Sequence, residues 1–66
     1  MHGYTAYVLS YDDRIMRRVD LFCRDDDDAM EQARDLADVL AVELWDGARK
    51  IGKFEPAHLP NSPTIN

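Results

Sequence analysis

A chain of 66 residues with a formal net charge of −5 makes one domain, near the lower limit at which a core holds without metals, disulfides or oligomerisation. That acidic balance disfavours sequence-independent binding of nucleic acid, which needs a field that gathers phosphates, and an enzyme with its own enclosed active site is unusual at this size. The lone Cys23 rules out an internal disulfide and suits a reducing, cytoplasmic setting. No apolar run approaches the ~20 residues of a membrane helix, and Met1-His2-Gly3-Tyr4 lacks a secretory layout.

Tyr4 to Tyr11, rich in aromatic and β-branched residues, reads as a first strand, and Arg14 to Cys23 as a second. Asp12-Asp13 between them suits a two-residue turn, because Asp tolerates turn dihedrals and bonds its own backbone. This register sets Ser10 against Ile15, Val8 against Arg17, Ala6 against Val19 and Tyr4 against Leu21 on one side of the sheet. The other side then carries Thr5, Tyr7, Leu9 and Tyr11 across from Asp20, Arg18, Met16 and Arg14.

Asp25 to Leu40 is the segment around which the chain is organised. Ala29, Met30, Ala33, Leu36, Ala37 and Leu40 recur at helical spacing, and the remaining faces are acidic. Residues 25–46 hold nine acids against one arginine, whereas residues 1–24 hold four arginines against three aspartates. The Asp25-Asp26-Asp27-Asp28 run reads as a helix cap, since Asp accepts the orphan N–H groups of a first turn and complements the helix's positive end. It lacks the alternating ligands, mid-loop glycine and closing Glu of a calcium loop.

Ala41 to Trp45 and Ala48 to Phe54 form a second hairpin around Asp46-Gly47, the strongest short turn signal present. Centred there, Trp45 faces Ala48, Leu44 faces Arg49, Glu43 faces Lys50 and Val42 faces Ile51. After Phe54 three prolines oppose regular structure, so residues 1–55 are expected to form the domain and residues 56–66 a flexible tail.

The expectation is an α+β, ββαββ domain: a four-stranded, mainly antiparallel sheet with one helix packed on one face. A right-handed crossover leaves the second and third strands parallel in direction; placing the first strand between them makes every neighbouring pair antiparallel and puts the least charged strand, Ala6-Tyr7-Val8-Leu9, at the centre, in the order 2-1-3-4. The core is then Tyr4, Ala6, Val8, Ile15, Val19, Leu21, Val42, Leu44 and Ile51 beneath the six apolar helix residues.

One helix covers one face and leaves the other to water or a partner. The candidate partner-binding residues there are Tyr7, Leu9, Tyr11, Arg14, Met16, Arg18, Trp45 and Lys50, with Phe22 beside them, and Tyr7 opposite Arg18 suits a cation–π pair. Three readings compete. A bulge at Arg17-Arg18 carries some of these residues into the core; the face or an edge strand makes a homodimer; or it binds another partner, including single-stranded nucleic acid by stacking on aromatics. No catalytic residue, metal, cofactor or small-molecule substrate is expected. Cys23 reads as a small buried thiol, His2 and His58 with Cys23 lack zinc-ligand spacing, and there is no phosphate loop or nucleophile elbow.

Tyr7-Val8-Leu9, then Arg14-Ile15, Arg18-Val19-Asp20-Leu21 and Cys23, the Asp run and Glu43-Leu44-Trp45-Asp46-Gly47 together resemble a group of short uncharacterised bacterial proteins over residues 4–54. The resemblance implies a small stand-alone bacterial domain and supplies no activity or site residue.

Overall fold

A computed structural model describes residues 1–56; the expected tail lies almost wholly outside the described residues. The chain runs β1 (His2–Leu9), β2 (Ile15–Cys23), α1 (Asp26–Leu36), β3 (Val42–Asp46) and β4 (Arg49–Phe54). The sheet is four-stranded in the order β2-β1-β3-β4, every neighbouring pair antiparallel, with the least charged strand β1 inside it as expected.

Helix α1 starts where the aspartates predict. Asp25, extended at φ −160°, is the N-cap, and its carboxylate accepts the Asp28 N–H at 2.9 Å. Asp28 in turn accepts the N–H of Arg24, the residue before the cap, at 3.1 Å, so the two carboxylates hold the chain on both sides of the helix start. The helix ends at Leu36 rather than at Leu40. Ala37 turns the chain at ψ 73° while its N–H is shared between the carbonyls of Ala33 and Arg34. Continuing to Leu40 would leave Ala41 alone to reverse the chain into β3, so Leu40 lies in the connection instead.

Small residues let the helix sit close to the sheet. Ala29, Ala33 and Ala37 are buried against Tyr4, Ala6, Cys23, Val42 and Leu44, with Val8, Val19, Leu21, Met30, Leu36, Ile51 and Phe54 packed around them. Arg34 closes one margin by lying over the Phe54 ring, 5.6 Å from its centre. Phe54 was not among the expected core residues; a shift in the second hairpin places it there.

Both hairpins depart from the simplest registers. In the first, Ser10 and Arg14 close a three-residue loop in which the Asp13 N–H bonds the Ser10 carbonyl at 3.0 Å and Asp13 takes φ 64°. Ser10 Oγ donates to Asp12 and accepts the Arg14 N–H, which holds the loop in shape. This loop is one residue longer than the Asp12-Asp13 turn, so Leu9 pairs with Ile15 rather than with Met16. A bulge at Met16 then absorbs the difference, and from Val8↔Arg17 to Tyr4↔Leu21 the expected register holds.

Ile15 is the casualty of the bulge. It moves off the helix-facing side to lie across from Leu9 and is 61% exposed, so it is not a core residue. In the second hairpin the turn is centred on Gly47-Ala48, not Asp46-Gly47, because the left-handed position falls at Gly47, φ 60°. Asp46 therefore pairs with Arg49 and Trp45 with Lys50. A bulge at Ile51 then sets Leu44 against Gly52, Glu43 against Lys53 and Val42 against Phe54.

Candidate interaction surface

Each candidate residue takes its position from these registers. On the face away from α1, Tyr7 stands between Arg18 and Glu43, and Trp45 lies between Thr5 and Lys50. Tyr7 and Trp45 are half-buried rather than open, set among charges. The Trp45 indole N–H donates to Glu43 at 3.1 Å, and Lys50 reaches the same carboxylate at 3.4 Å. Lys50 and Glu43 thus pair as expected, though diagonally. Arg18 lies opposite Tyr7, but its guanidinium donates to Asp20 at 3.3 Å instead of stacking on the ring.

Leu9 must be removed from the candidate list, because at 3% exposure it has no surface to offer. Its backbone N–H bonds the Ala41 carbonyl at 2.8 Å, continuing the β1–β3 ladder one step past Val42. Close by, Lys53 Nζ lies 3.3 Å from Asp13, so the first hairpin loop is tied to β4 across this end of the sheet. That ion pair holds the Lys53 ammonium above its usual range.

Of the large apolar side chains that remain exposed among the described residues, all but Met1 and Val39 gather along β2 and the loop before it. Tyr11 is 72% exposed, Met16 61% and Phe22 66%, with Ile15 beside them. The Phe22 ring lies over Gly3, 3.6 Å from where a Cβ would stand. Arg14 flanks the group and faces Asp12 at 3.4 Å, and Arg24 faces Asp28 at 3.6 Å. The sheet face expected to be apolar is thus largely a lattice of matched charges, and its apolar content sits at the β2 margin.

β2 is also an edge strand, and hydrogen-bond alternation shows what that edge presents. The Leu9-to-Ala41 bond aims the odd-numbered residues of β1 at β3, so Tyr4, Ala6 and Val8 bond to Leu21, Val19 and Arg17 of β2. The amides and carbonyls of Arg18, Asp20 and Phe22 therefore point away from the sheet. By the same alternation β4 turns Gly52 and Phe54 inward and Lys53 outward.

A second polar assembly escaped the sequence reading because its members come from three distant stretches. His2 Nε2 lies 2.8 Å from Asp46, Arg49 bridges Asp46 at 3.0 Å and Asp26 at 3.3 Å, and the Tyr4 hydroxyl donates to Asp26 at 2.8 Å. The displaced hairpin turn creates it, by making Asp46 a strand residue rather than a turn residue. It fastens the start of α1 to one end of the sheet. Burial and the Asp26 hydrogen bond push the Tyr4 phenol up to about 12, and bonds from His2 and Arg49 hold Asp46 below the usual carboxylate range.

Cys23 is fully buried beneath α1, and burial followed by the charges of Asp28 and Asp25 raises its thiol pKa, away from the thiolate a nucleophile needs. A concavity of about 410 Å³ opens beside the first turns of α1, lined by Arg24, Asp25, Asp28 and Arg34 among others, but Asp25 and Asp28 are engaged in capping. Among the described residues no three His, Cys, Asp or Glu side chains are grouped to hold a metal. His58 lies outside the described residues.

The chain matches no protein-family model, no curated protein and no solved structure. No described helix is long and apolar enough to cross a membrane.

Proposed function

We propose that this chain is a small non-enzymatic protein-association module that works as a homodimer, joined through its sheet at the β2 edge. The observation that carries the reading is the concentration of Ile15, Met16 and Phe22, each more than half exposed, on one edge strand whose outer side meets no other strand among the described residues. Apolar side chains beside an open strand edge are the combination that β-strand addition uses, with main-chain bonds supplying affinity and the flanking side chains supplying selectivity. Size adds a motive: among the described residues the core holds nine buried apolar residues, three of them alanines from α1 and its C-cap, which is small, and association enlarges it. Buried, unpaired Cys23 fits a reducing, cytoplasmic setting.

Tyr7 and Trp45, which the sequence places among the candidate contact residues, serve better as supports. Each is half-buried among charged neighbours, whereas Met16 and Phe22 are free to be covered.

Light scattering over a concentration series tests the proposal. The expected result is a dimer, converted to a folded monomer by Met16→Ser with Phe22→Ser but not by Tyr7→Phe. A monomer at every concentration would contradict it. A single-stranded nucleic-acid partner for the same margin has less behind it, because Arg14, Arg18 and Arg24 already lie against Asp12, Asp20 and Asp28. Salt-sensitive retention of a labelled oligonucleotide would revive it.

A further inference from the structure

Resting on that reading, the geometry points to one way in which two copies meet: β2 pairs with β2 of a second copy, antiparallel, with Val19 on the two-fold axis. The strand itself makes the selection. Two identical antiparallel strands related by a two-fold axis pair residue by residue about one centre, and outward-pointing residues must meet outward-pointing residues to exchange hydrogen bonds. On β2 the outward set includes Arg18, Asp20 and Phe22.

Centring the pair on Arg18 or on Asp20 sets each of those charges directly against its own copy, which is unfavourable. Centring it on Leu21 spares Asp20 but sets Arg18 against the partner's Arg24. Centring it on Val19 sets Arg18 against the partner's Asp20 twice over, once from each side of the axis. Phe22 then comes beside the partner's Met16, and Leu21 beside the aliphatic stem of the partner's Arg17. The Val19 register places opposite charges together and the exposed apolar residues together while keeping every paired residue within β2, Ile15–Cys23.

The pairing has specific local consequences. Arg18 and Asp20 already share the face away from α1 and lie 3.3 Å apart within one chain, so the dimer turns two exposed pairs into a four-member cluster across the axis. The outward groups of Arg18 and Asp20 contribute about four main-chain hydrogen bonds in the regular part of β2. The Met16 bulge sits at the end of this stretch, where it bounds the pairing rather than interrupting it. Because directly opposed residues share a face, both helices lie on one side of a continuous eight-stranded sheet in the order 4-3-1-2-2-1-3-4.

Charge exchange tests the register separately from association itself. Arg18→Asp leaves two aspartates to face two, and Asp20→Arg leaves two arginines to face two. Each variant alone is expected to weaken dimerisation by on the order of tenfold to a hundredfold, while an equimolar mixture restores a mixed dimer and the double exchange Arg18→Asp with Asp20→Arg restores a homodimer. Recovery in the mixture also shows that the single variants are folded. A wild-type dimer that neither single exchange weakens would overturn the register and leave the association standing. Two weakened variants that do not recover on mixing would overturn it equally, and a wild-type monomer would overturn both.

Discussion

The two edges of this sheet face the same problem and treat it differently. β4 is six residues long, is bulged at Ile51, carries a glycine at its inward position 52, and has Lys50 and Lys53 along it. These are the devices by which sheets discourage edge pairing. β2 is nine residues long; its bulge lies near the hairpin end, leaving Arg17 to Cys23 regular, and Met16 and Phe22 stand exposed along it. One edge is guarded and the other is open, and an asymmetry of that kind gives a closed dimer rather than an endless sheet, because only one surface of each copy seeks a partner.

Proline breaks this contrast most severely, because its effect depends on which way the replaced N–H points. Val19→Pro removes a bond to β1 and is expected to cost roughly 3 kcal/mol or more, enough to unfold much of so small a domain, as a thermal melt followed by circular dichroism will show. Asp20→Pro removes only an outward N–H. It is expected to leave a folded monomer with a much smaller loss of stability. Equal damage from both would mean that the assignment of inward and outward residues is wrong.

Opening the guarded edge is a milder test. Lys50→Thr with Lys53→Thr removes the two ammonium groups and the ties to Glu43 and Asp13. Assemblies larger than the dimer are expected in sedimentation, since both edges are then available. Persistence of a plain dimer would show that the Ile51 bulge alone guards β4.

The smallest effect concerns the far end of the sheet, where Tyr4 and Asp26 hold α1 down. The Tyr4 phenol is raised in the folded chain from 10.0 to about 12, so its contribution to stability is complete below pH 10 and lost as the pH climbs from there through 12. Tyr4→Phe is expected to flatten the alkaline limb of a denaturation-against-pH profile while leaving dimerisation unchanged, since the β2 edge does not involve that hydroxyl.

Much of this was legible in the chain. Apolar spacing locates the helix, the aspartate run locates its cap, and the low charge of Ala6-Tyr7-Val8-Leu9 points to the first strand as a central one, because each depends on local chemistry. The pairing of Tyr4 with Leu21 was also correct, although the turn that leads to it was not: a three-residue loop and a bulge cancel. No such cancellation occurs in the second hairpin. There Gly47 takes the left-handed position, which moves the turn one residue onward, makes Asp46 a strand residue and brings Phe54 into the core.

Bulges hide from sequence because each depends on how a whole strand settles against its neighbour. The one at Met16 sent Ile15 outward, and Leu9 proved closed off although it lies on the face away from α1. A bulge at Arg17-Arg18 would have carried residues of the open face into the core; the bulge lies at Met16 instead and moves the aliphatic Ile15 out of the core. The apolar surface accordingly lies at the margin of the sheet rather than at its centre.

Amide hydrogen exchange, followed residue by residue at several protein concentrations, addresses the contrast between the edges most directly. The account predicts that the outward N–H groups of Arg18 and Asp20 become protected as concentration rises, while that of Lys53 on β4 exchanges quickly throughout. Fast exchange at Arg18 and Asp20 at every concentration would contradict it.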